Sequence, residues 1–179
     1  LARVSRGTLV VAGSCSPATT AQNACALRHG FDDIPLDGGD VVEGRADADA
    51  LADRACRSLA QGRNALLRAS APPDEIARVQ AKGQRLGLSG GEVGERIAEC
   101  LADAAARTLA QSEVGRLLVS GGETSAVVCR AARVAALEVG LPIEPGVPYC
   151  FPMDGAERMV VLKSGNFGSD DFYLRVRDL

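Results

Sequence analysis

The sequence predicts an α/β protein of three layers, in which helices flank both faces of a mostly parallel sheet. Short β-branched and aliphatic runs alternate with longer stretches of helical spacing over most of the 179 residues. The first run, residues 8–12 (TLVVA), leads into a small-residue turn and then into a helical stretch at 17–29 that Gly30 ends. Because a helix carries the chain back across the sheet between such strands, we expect them to pair in parallel.

Further strands and helices follow in the same alternation. Strands are predicted at residues 34–36, 64–69 and 116–119, and helices at 48–60, 89–110 and 126–134. Between them, the polar stretch from Ser70 to residue 87 contains Pro72 and Pro73 and is predicted to be an excursion between layers. The last part of the chain predicts strands at 136–139, 149–151 and 159–162, which are candidates for antiparallel pairing, and a closing helix at 170–179.

Composition limits the classes of function. The chain is 46% hydrophobic and 24% charged, as expected for one folded domain over residues 1–179. Its net charge of −3, with no basic stripe, argues against a nucleic-acid partner. Its apolar runs are too short to cross a membrane, so we expect a soluble, cytoplasmic protein.

Two further features concern metals and the extent of the chain. The six cysteines form no C-x-x-C pair and are accompanied by one histidine, so no metal site is predicted. The sequence begins with Leu1 and enters a strand almost at once, so we expect it to be a piece of a longer polypeptide. The oligomeric state is left open, and a homo-oligomer is compatible with the sequence.

Three glycine-containing turns, at residues 13–16, 120–125 and 163–168, each follow a predicted strand directly. Small residues let the backbone approach an anion closely, and hydroxyl groups and helix starts supply hydrogen-bond donors. Because ligands of open α/β sheets bind beyond the carboxyl ends of the strands, we expect the turns to meet at one rim and bind nucleotide phosphates. The predicted binding residues are Ser14 and Ser16 in the first turn, Gly121, Gly122, Glu123 and Thr124 in the second, and Lys163, Ser164, Gly165 and Asn166 in the third.

Each turn taken alone also has a purely structural interpretation. A serine of the first turn could cap the following helix, and Ser120 and Glu123 have the spacing of a capping box. A glycine of the third turn could be there because the turn requires a positive φ. The segment 89–92 (SGGE) has the same letters as 120–123 but follows a polar loop, so Ser89 is predicted to be a cap only. The functional interpretation depends on three such turns occurring together at strand ends.

Lys163 has two interpretations that the sequence leaves open: it neutralises phosphate charge, or it is a solvated lysine at the end of a strand. Neither lysine of the chain lies in a Walker A motif, and no G-x-G-x-x-G follows the first strand. A bound nucleotide would therefore be held by a different arrangement.

Other polar residues have simpler explanations. His29 lies near the end of a predicted helix, where a role in complementing the helix dipole is simpler than one as a general base. No histidine lies near Cys15 in sequence to activate its thiol. The remaining candidates are acidic pairs: Asp170 and Asp171 fit the start of the last helix better than a Mg²⁺ site, and Asp32, Asp33, Asp37 and Asp40 are predicted to be turn residues.

The three turns, in this order, resemble the C-terminal nucleotide-binding domain of the four-carbon acid sugar kinases, which phosphorylate 3-oxo-tetronate, threonate or erythronate with ATP. The matching segments are 11–16 with Thr19 and Gln22, 119–125, 143–148, and 162–168 with Asp171 and Phe172. The resemblance covers nearly the whole chain and implies ATP contacts at Ser14, at the turn 121–124 and at Gly165.

The resemblance also implies what the chain lacks. In that family an N-terminal domain binds the sugar acid and carries a D-D-x-T-G type motif with the catalytic base, and no such motif occurs here. The catalytic residue is therefore unassigned, the isolated chain is expected to bind ATP without turnover, and Mg²⁺ is inferred from the reaction class. Two other classes stay open: a non-catalytic α/β module that binds a small anionic metabolite, and a structural domain that provides a dimer interface.

Overall fold

A computed structural model of the chain describes residues 6–69 and 71–179. Two residues named in the sequence analysis lie outside this part: Leu1, which begins the chain, and Ser70, which begins the predicted polar excursion. The strands are β1 (Thr8–Ala12), β2 (Phe31–Pro35), β3 (Asn64–Arg68), β4 (Arg116–Ser120), β5 (Leu137–Glu144), β6 (Val147–Pro152) and β7 (Met159–Lys163). The helices are α1 (Pro17–Arg28), α2 (Gly38–Val42), α3 (Ala48–Ala60), α4 (Pro73–Arg85), α5 (Gly90–Gln111), α6 (Gly122–Ala131) and α7 (Phe172–Arg177).

The strands form one sheet in the order β2-β3-β1-β4-β7-β6-β5. The first five strands in this order are parallel, β6 is antiparallel to β7, and β5 is antiparallel to β6. The predicted mostly parallel α/β sheet, with antiparallel last strands, is therefore confirmed.

Helices cover both faces of the sheet and produce the three layers. Val11 of β1 belongs to the core that packs against α3, α5 and α6, whereas its neighbour Val10 belongs to the core on the side of α1 and α7. All five residues of β1 are buried. A strand covered on both faces is a continuous apolar run, which is why the run TLVVA indicates a strand.

The polar excursion contains a helix that the sequence did not predict. Helix α4 begins at Pro73, and the two adjacent prolines had suggested a loop. A proline in the first turn of a helix is well tolerated, because the N–H that it lacks has no acceptor there. Acidic residues in the first turn and basic residues in the last turn complement the helix dipole of α4.

The prediction that Asp32 and Asp33 are turn residues is wrong, because both lie in the edge strand β2. The Asp33 carboxylate accepts hydrogen bonds from Arg68 Nε at 2.7 Å and Nη2 at 2.8 Å. Asp32 forms an ion pair with Arg63 at 3.0 Å. Paired charges on a solvated edge let acidic residues occupy a strand.

No helix within the described ranges has both the length and the apolar character needed to cross a bilayer.

Replacing Leu118 with alanine tests the two-sided burial of the central strands. Leu118 of β4 is 0% exposed, and deletion of such a side chain typically costs about 2–5 kcal/mol of folding free energy. Leu141 of β5 is 70% exposed, so Leu141→Ala should stay within about 0.5 kcal/mol of the unchanged protein. Urea unfolding measures both, and equal losses would contradict the assigned core.

Candidate functional site

The ends of three adjacent parallel strands place the three turns at one level of the sheet. Ala12 of β1 is in register with Ser120 of β4, which is in register with Lys163 of β7. The chain leaves all three strands at the same edge, and backbone hydrogen bonds join the turns. Gly13 N donates to Ser120 O at 3.1 Å, and Gly121 N donates to Lys163 O at 2.9 Å.

Side chains at the start of α1 connect the first turn to the third. Ser16 Oγ donates to Gly165 O at 2.7 Å, and Thr19 Oγ1 donates to the same carbonyl at 2.9 Å. Gly165 lies so close to Ser14 that an added Cβ would come within 2.8 Å of the Ser14 Cβ. Any side chain at 165 would therefore separate the two turns.

Farther along α1, Gln22 holds the rest of the third turn. Its side chain is 0% exposed, and Nε2 lies 3.0 Å from Phe167 O, 3.0 Å from Gly168 O and 3.1 Å from Ser169 O. A buried amide that contacts three successive carbonyls restricts the path of this turn.

The second turn ends in a helix start that no side chain caps. Gly121 is the N-cap of α6 with φ 125° and ψ 128°, and no side-chain hydrogen bond caps the helix. This positive φ favours glycine. The first N–H groups of the helix, at Gly122, Glu123 and Thr124, have no acceptor within the helix itself. A Cβ added at Gly122 would meet no atom within 4 Å, so the space beside this helix start is open.

The capping-box interpretation of Ser120 and Glu123 is wrong, because the Ser120 hydroxyl points into the protein. Its Oγ lies 2.8 Å from Thr19 Oγ1 and accepts a hydrogen bond from Lys163 Nζ at 2.9 Å. Ser89 does form a capping box with Glu92, as predicted. Ser16 also caps its helix, accepting from Thr19 N at 3.2 Å, in addition to its bond to Gly165.

Lys163 is buried, so its interpretation as a solvated lysine is wrong. The residue is 3% exposed, and Nζ donates to Ser120 Oγ at 2.9 Å, to Ser164 O at 2.9 Å and to Gly165 O at 3.2 Å. Burial lowers the pKa of Lys163 to about 8. None of the ion pairs in the described part of the chain includes this ammonium group.

A clamp at the end of β5 holds the far side of the third turn. Glu144 accepts from Ser169 N at 3.0 Å, from Ser169 Oγ at 2.6 Å and from Arg175 Nη1 at 2.5 Å. Partial burial alone would raise the pKa of Glu144, but these hydrogen bonds and the Arg175 charge lower it. Segment 143–148, named above for its resemblance, thus contributes through Glu144 to the shape of the turn.

The structure brings all three predicted turns together, with different exposures. Gly121, Thr124, Lys163 and Gly165 are buried, Ser14 and Ser16 are half-buried, and Gly122, Glu123, Ser164 and Asn166 are exposed. The sequence predicted only a capping role for Ser120, and it predicted no role for Thr19 and Gln22 beyond the resemblance. In the structure these three residues connect the turns from the inner side. A usable signal was present, because residues 16, 19 and 22 are polar at helical spacing in a helix that packs on the sheet.

Comparison with known proteins identifies the family. A family model described as a nucleotide-binding C-terminal domain matches residues 9–173. A 3-oxo-tetronate kinase of Cupriavidus necator is 39% identical over 165 residues, which are 92% of this chain and 36% of the relative. A D-threonate kinase of Salmonella typhimurium is 29% identical over 168 residues, which are 90% of this chain and 40% of the relative.

A solved structure supports the fold. A Haemophilus influenzae protein superposes with a TM-score of 0.84 at 25% identity, covering 97% of this chain and 40% of that protein. The chain thus spans about two fifths of the length of the relatives it matches. On the family match and the similarity to these kinases, the chain belongs to the nucleotide-binding C-terminal domain family of the four-carbon acid sugar kinases.

Proposed function

We propose that this chain binds ATP for a kinase that transfers the γ-phosphate to the terminal hydroxyl of a four-carbon acid sugar: 3-oxo-tetronate, threonate or erythronate. The names of its relatives, 3-oxo-tetronate kinase and D-threonate kinase, support this reaction. The match to a nucleotide-binding domain family supports the assignment of the nucleotide, rather than the sugar acid, to this part of the enzyme.

The observation that carries the proposal is the buried ammonium group of Lys163 at the junction of three turns. A buried cation is normally paired with an anion, because transfer of a charge out of water is costly. The ion pairs described for this chain leave Lys163 without a carboxylate partner, and its three hydrogen bonds go to neutral oxygens. A bound polyphosphate supplies the missing negative charge.

The proposed phosphate contacts follow from the donors at the rim. The N–H groups of Gly122, Glu123 and Thr124 begin a ten-residue helix whose dipole favours negative charge. Ser14 of the first turn lies beside this helix start, since a Cβ added at Gly121 would come 3.3 Å from Ser14 N, and Gly165 lets the third turn pack directly against Ser14. Lys163 lies on the buried side of these turns, where its ammonium group is hydrogen-bonded to Ser120 and Gly165. Its positive charge would attract the phosphates.

Mg²⁺ would enter with the nucleotide. No group of three or more metal-ligating side chains occurs within residues 6–69 and 71–179. Mg²⁺ bound to a nucleotide needs only one or two carboxylates in addition to phosphate oxygens and water. Glu123, exposed at the start of α6, is the carboxylate among the proposed binding residues and fits that requirement. The ion would neutralise charge on the transferred phosphoryl group.

The acceptor and the base that removes its proton are proposed to lie in an N-terminal sugar-binding domain of the same polypeptide. Phosphoryl transfer requires the acceptor oxygen to be aligned with the γ-phosphate. The chain alone would therefore bind ATP without turnover. A cytoplasmic location belongs to the proposal, because the reaction draws on the cellular ATP pool.

Substitution of Gly122 by leucine should weaken Mg·ATP binding by roughly tenfold or more, because the new side chain would occupy the open space beside the N–H groups of α6. Gly122 is a better position than Gly121, where a side chain would strain the positive φ. Isothermal titration calorimetry of the 179-residue chain measures the affinity.

The matched control is Gly91→Leu, at the same place in the segment 89–92 (SGGE), whose helix start is closed by its capping box. This variant should bind ATP like the unchanged chain. No ATP binding by the folded chain at millimolar nucleotide, or tighter binding of a simple carboxylate than of ATP, would overturn the proposal in favour of the small-anion module.

The affinity for ATP should also fall as the pH rises above about 8, the pKa of Lys163. Below that pH the ammonium is charged and attracts phosphate, whereas above it the neutral amine does not. We expect a loss of roughly tenfold between about pH 7 and pH 9.5, and a flatter profile for Lys163→Met. Parallel pH profiles for the two proteins would show that Lys163 is not the titrating group.

A further inference from the structure

A cleft of about 160 Å³ lies next to the phosphate turns, between α4 and α5. Its walls are mainly apolar: Ile76 and Val79 come from α4, and Val93 and Ile97 come from α5. Both helices present residues at a spacing of three or four, so one face of each helix borders the cleft. Two polar side chains of α4, Glu75 and Gln80, also line it.

The cleft is continuous with the proposed phosphate site. Gly13 and Thr124, from the first and second turns, line it together with Glu123. The two turns touch at this point, because a Cβ added at Gly13 would come within 3.0 Å of the Thr124 Cβ and Cγ2. A molecule whose phosphates contact the start of α6 would reach the cleft directly.

We propose that this cleft binds the adenine base of the ATP whose phosphates occupy the three turns, an inference that rests on the proposed function. Flat rings with apolar faces fit pockets that are lined by aliphatic side chains and carry a few polar groups. An apolar cavity of about 150 Å³ accommodates a benzene ring, so this cleft of about 160 Å³ would take one ring of a purine, with the other ring toward the opening. A polyhydroxylated sugar acid would leave its hydroxyl groups without partners against these walls.

Gly94 supports the assignment, because the fold does not require glycine there. The residue lies inside the 22-residue helix α5, where glycine is less favourable than almost any other residue. Gly94 lines the cleft, has no positive φ, and a Cβ added to it would meet no atom within 4 Å. By contrast, Gly83 of α4 is explained by packing, since a Cβ there would overlap Val93. The missing side chain at 94 leaves the cleft open for the base.

The test compares ATP with inorganic tripolyphosphate, which has the phosphates without the base. Gly94→Leu should lower the affinity for Mg·ATP roughly 100-fold and leave the affinity for tripolyphosphate unchanged. Gly94→Ala should cause a smaller loss of ATP affinity. Because both substitutions remove a glycine from a helix, the thermal unfolding temperature should stay the same or rise. Calorimetry measures binding, and circular dichroism confirms folding.

Gly91→Leu is the matched control, since it places the same side chain on the same helix at a residue outside the cleft. It should bind both ligands like the unchanged chain. A measurement without substitutions is photolabelling of the unchanged chain with 8-azido-ATP, where the label should be found in peptides that cover residues 75–80 and 93–98.

The outcomes separate this inference from the proposed function. If the unchanged chain binds neither ligand, the proposed function fails. If it binds ATP and Gly94→Leu keeps the affinity, if both ligands weaken equally, or if the photolabel is confined to β5 and β6, the base lies elsewhere and the inference is overturned while nucleotide binding stands.

Discussion

The desolvated ammonium group of Lys163 is the constraint around which the candidate site is built. Its hydrogen bonds go to Ser120 at the end of β4 and to the carbonyls of Ser164 and Gly165 in the third turn. Thr19 joins the same network from α1, through Ser120 and Gly165. A buried charge must keep its partners, so these bonds fix the relative positions of three chain segments that are far apart in sequence.

This network separates the residues that shape the site from those proposed to contact ligand. Thr19, Gln22 and Ser120 are buried and hold the turns from below, whereas the exposed Gly122 and Glu123 lie at the rim. Substitutions at Thr19, Gln22 or Ser120 would change the positions of the turns relative to one another. Substitutions at the rim would alter only the surface that contacts a ligand. Binding of the base and binding of the phosphates are likewise assigned to different residues, so tripolyphosphate can separate them.

Much of the fold could be predicted because buried parallel strands leave an unambiguous apolar pattern, as in β1 and β4. Helix α4 could not be predicted, since Pro72 and Pro73 indicate a loop equally well. The strand position of Asp32 could not be predicted either, because its ion-pair partner, Arg63, is distant in the sequence. The ten residues proposed to bind the nucleotide could be selected by their positions after strands. The burial of Lys163 could not, because it depends on which strands are neighbours: β7 pairs with β4 although 38 residues separate Ser120 from Met159 in the chain.

Two segments with the same letters show how the preceding structure decides the outcome. In residues 89–92, Ser89 follows a loop, and its hydroxyl and the Glu92 carboxylate close the start of α5 in a capping box. In residues 120–123, Ser120 still belongs to β4, and its hydroxyl is held inside by Lys163. Gly121 must then turn the chain with a positive φ, and the first N–H groups of α6 stay without a side-chain cap. The same residues therefore produce a closed helix start in one place and an open helix start, the proposed phosphate site, in the other, because the second lies beside a buried cation at the end of a parallel strand.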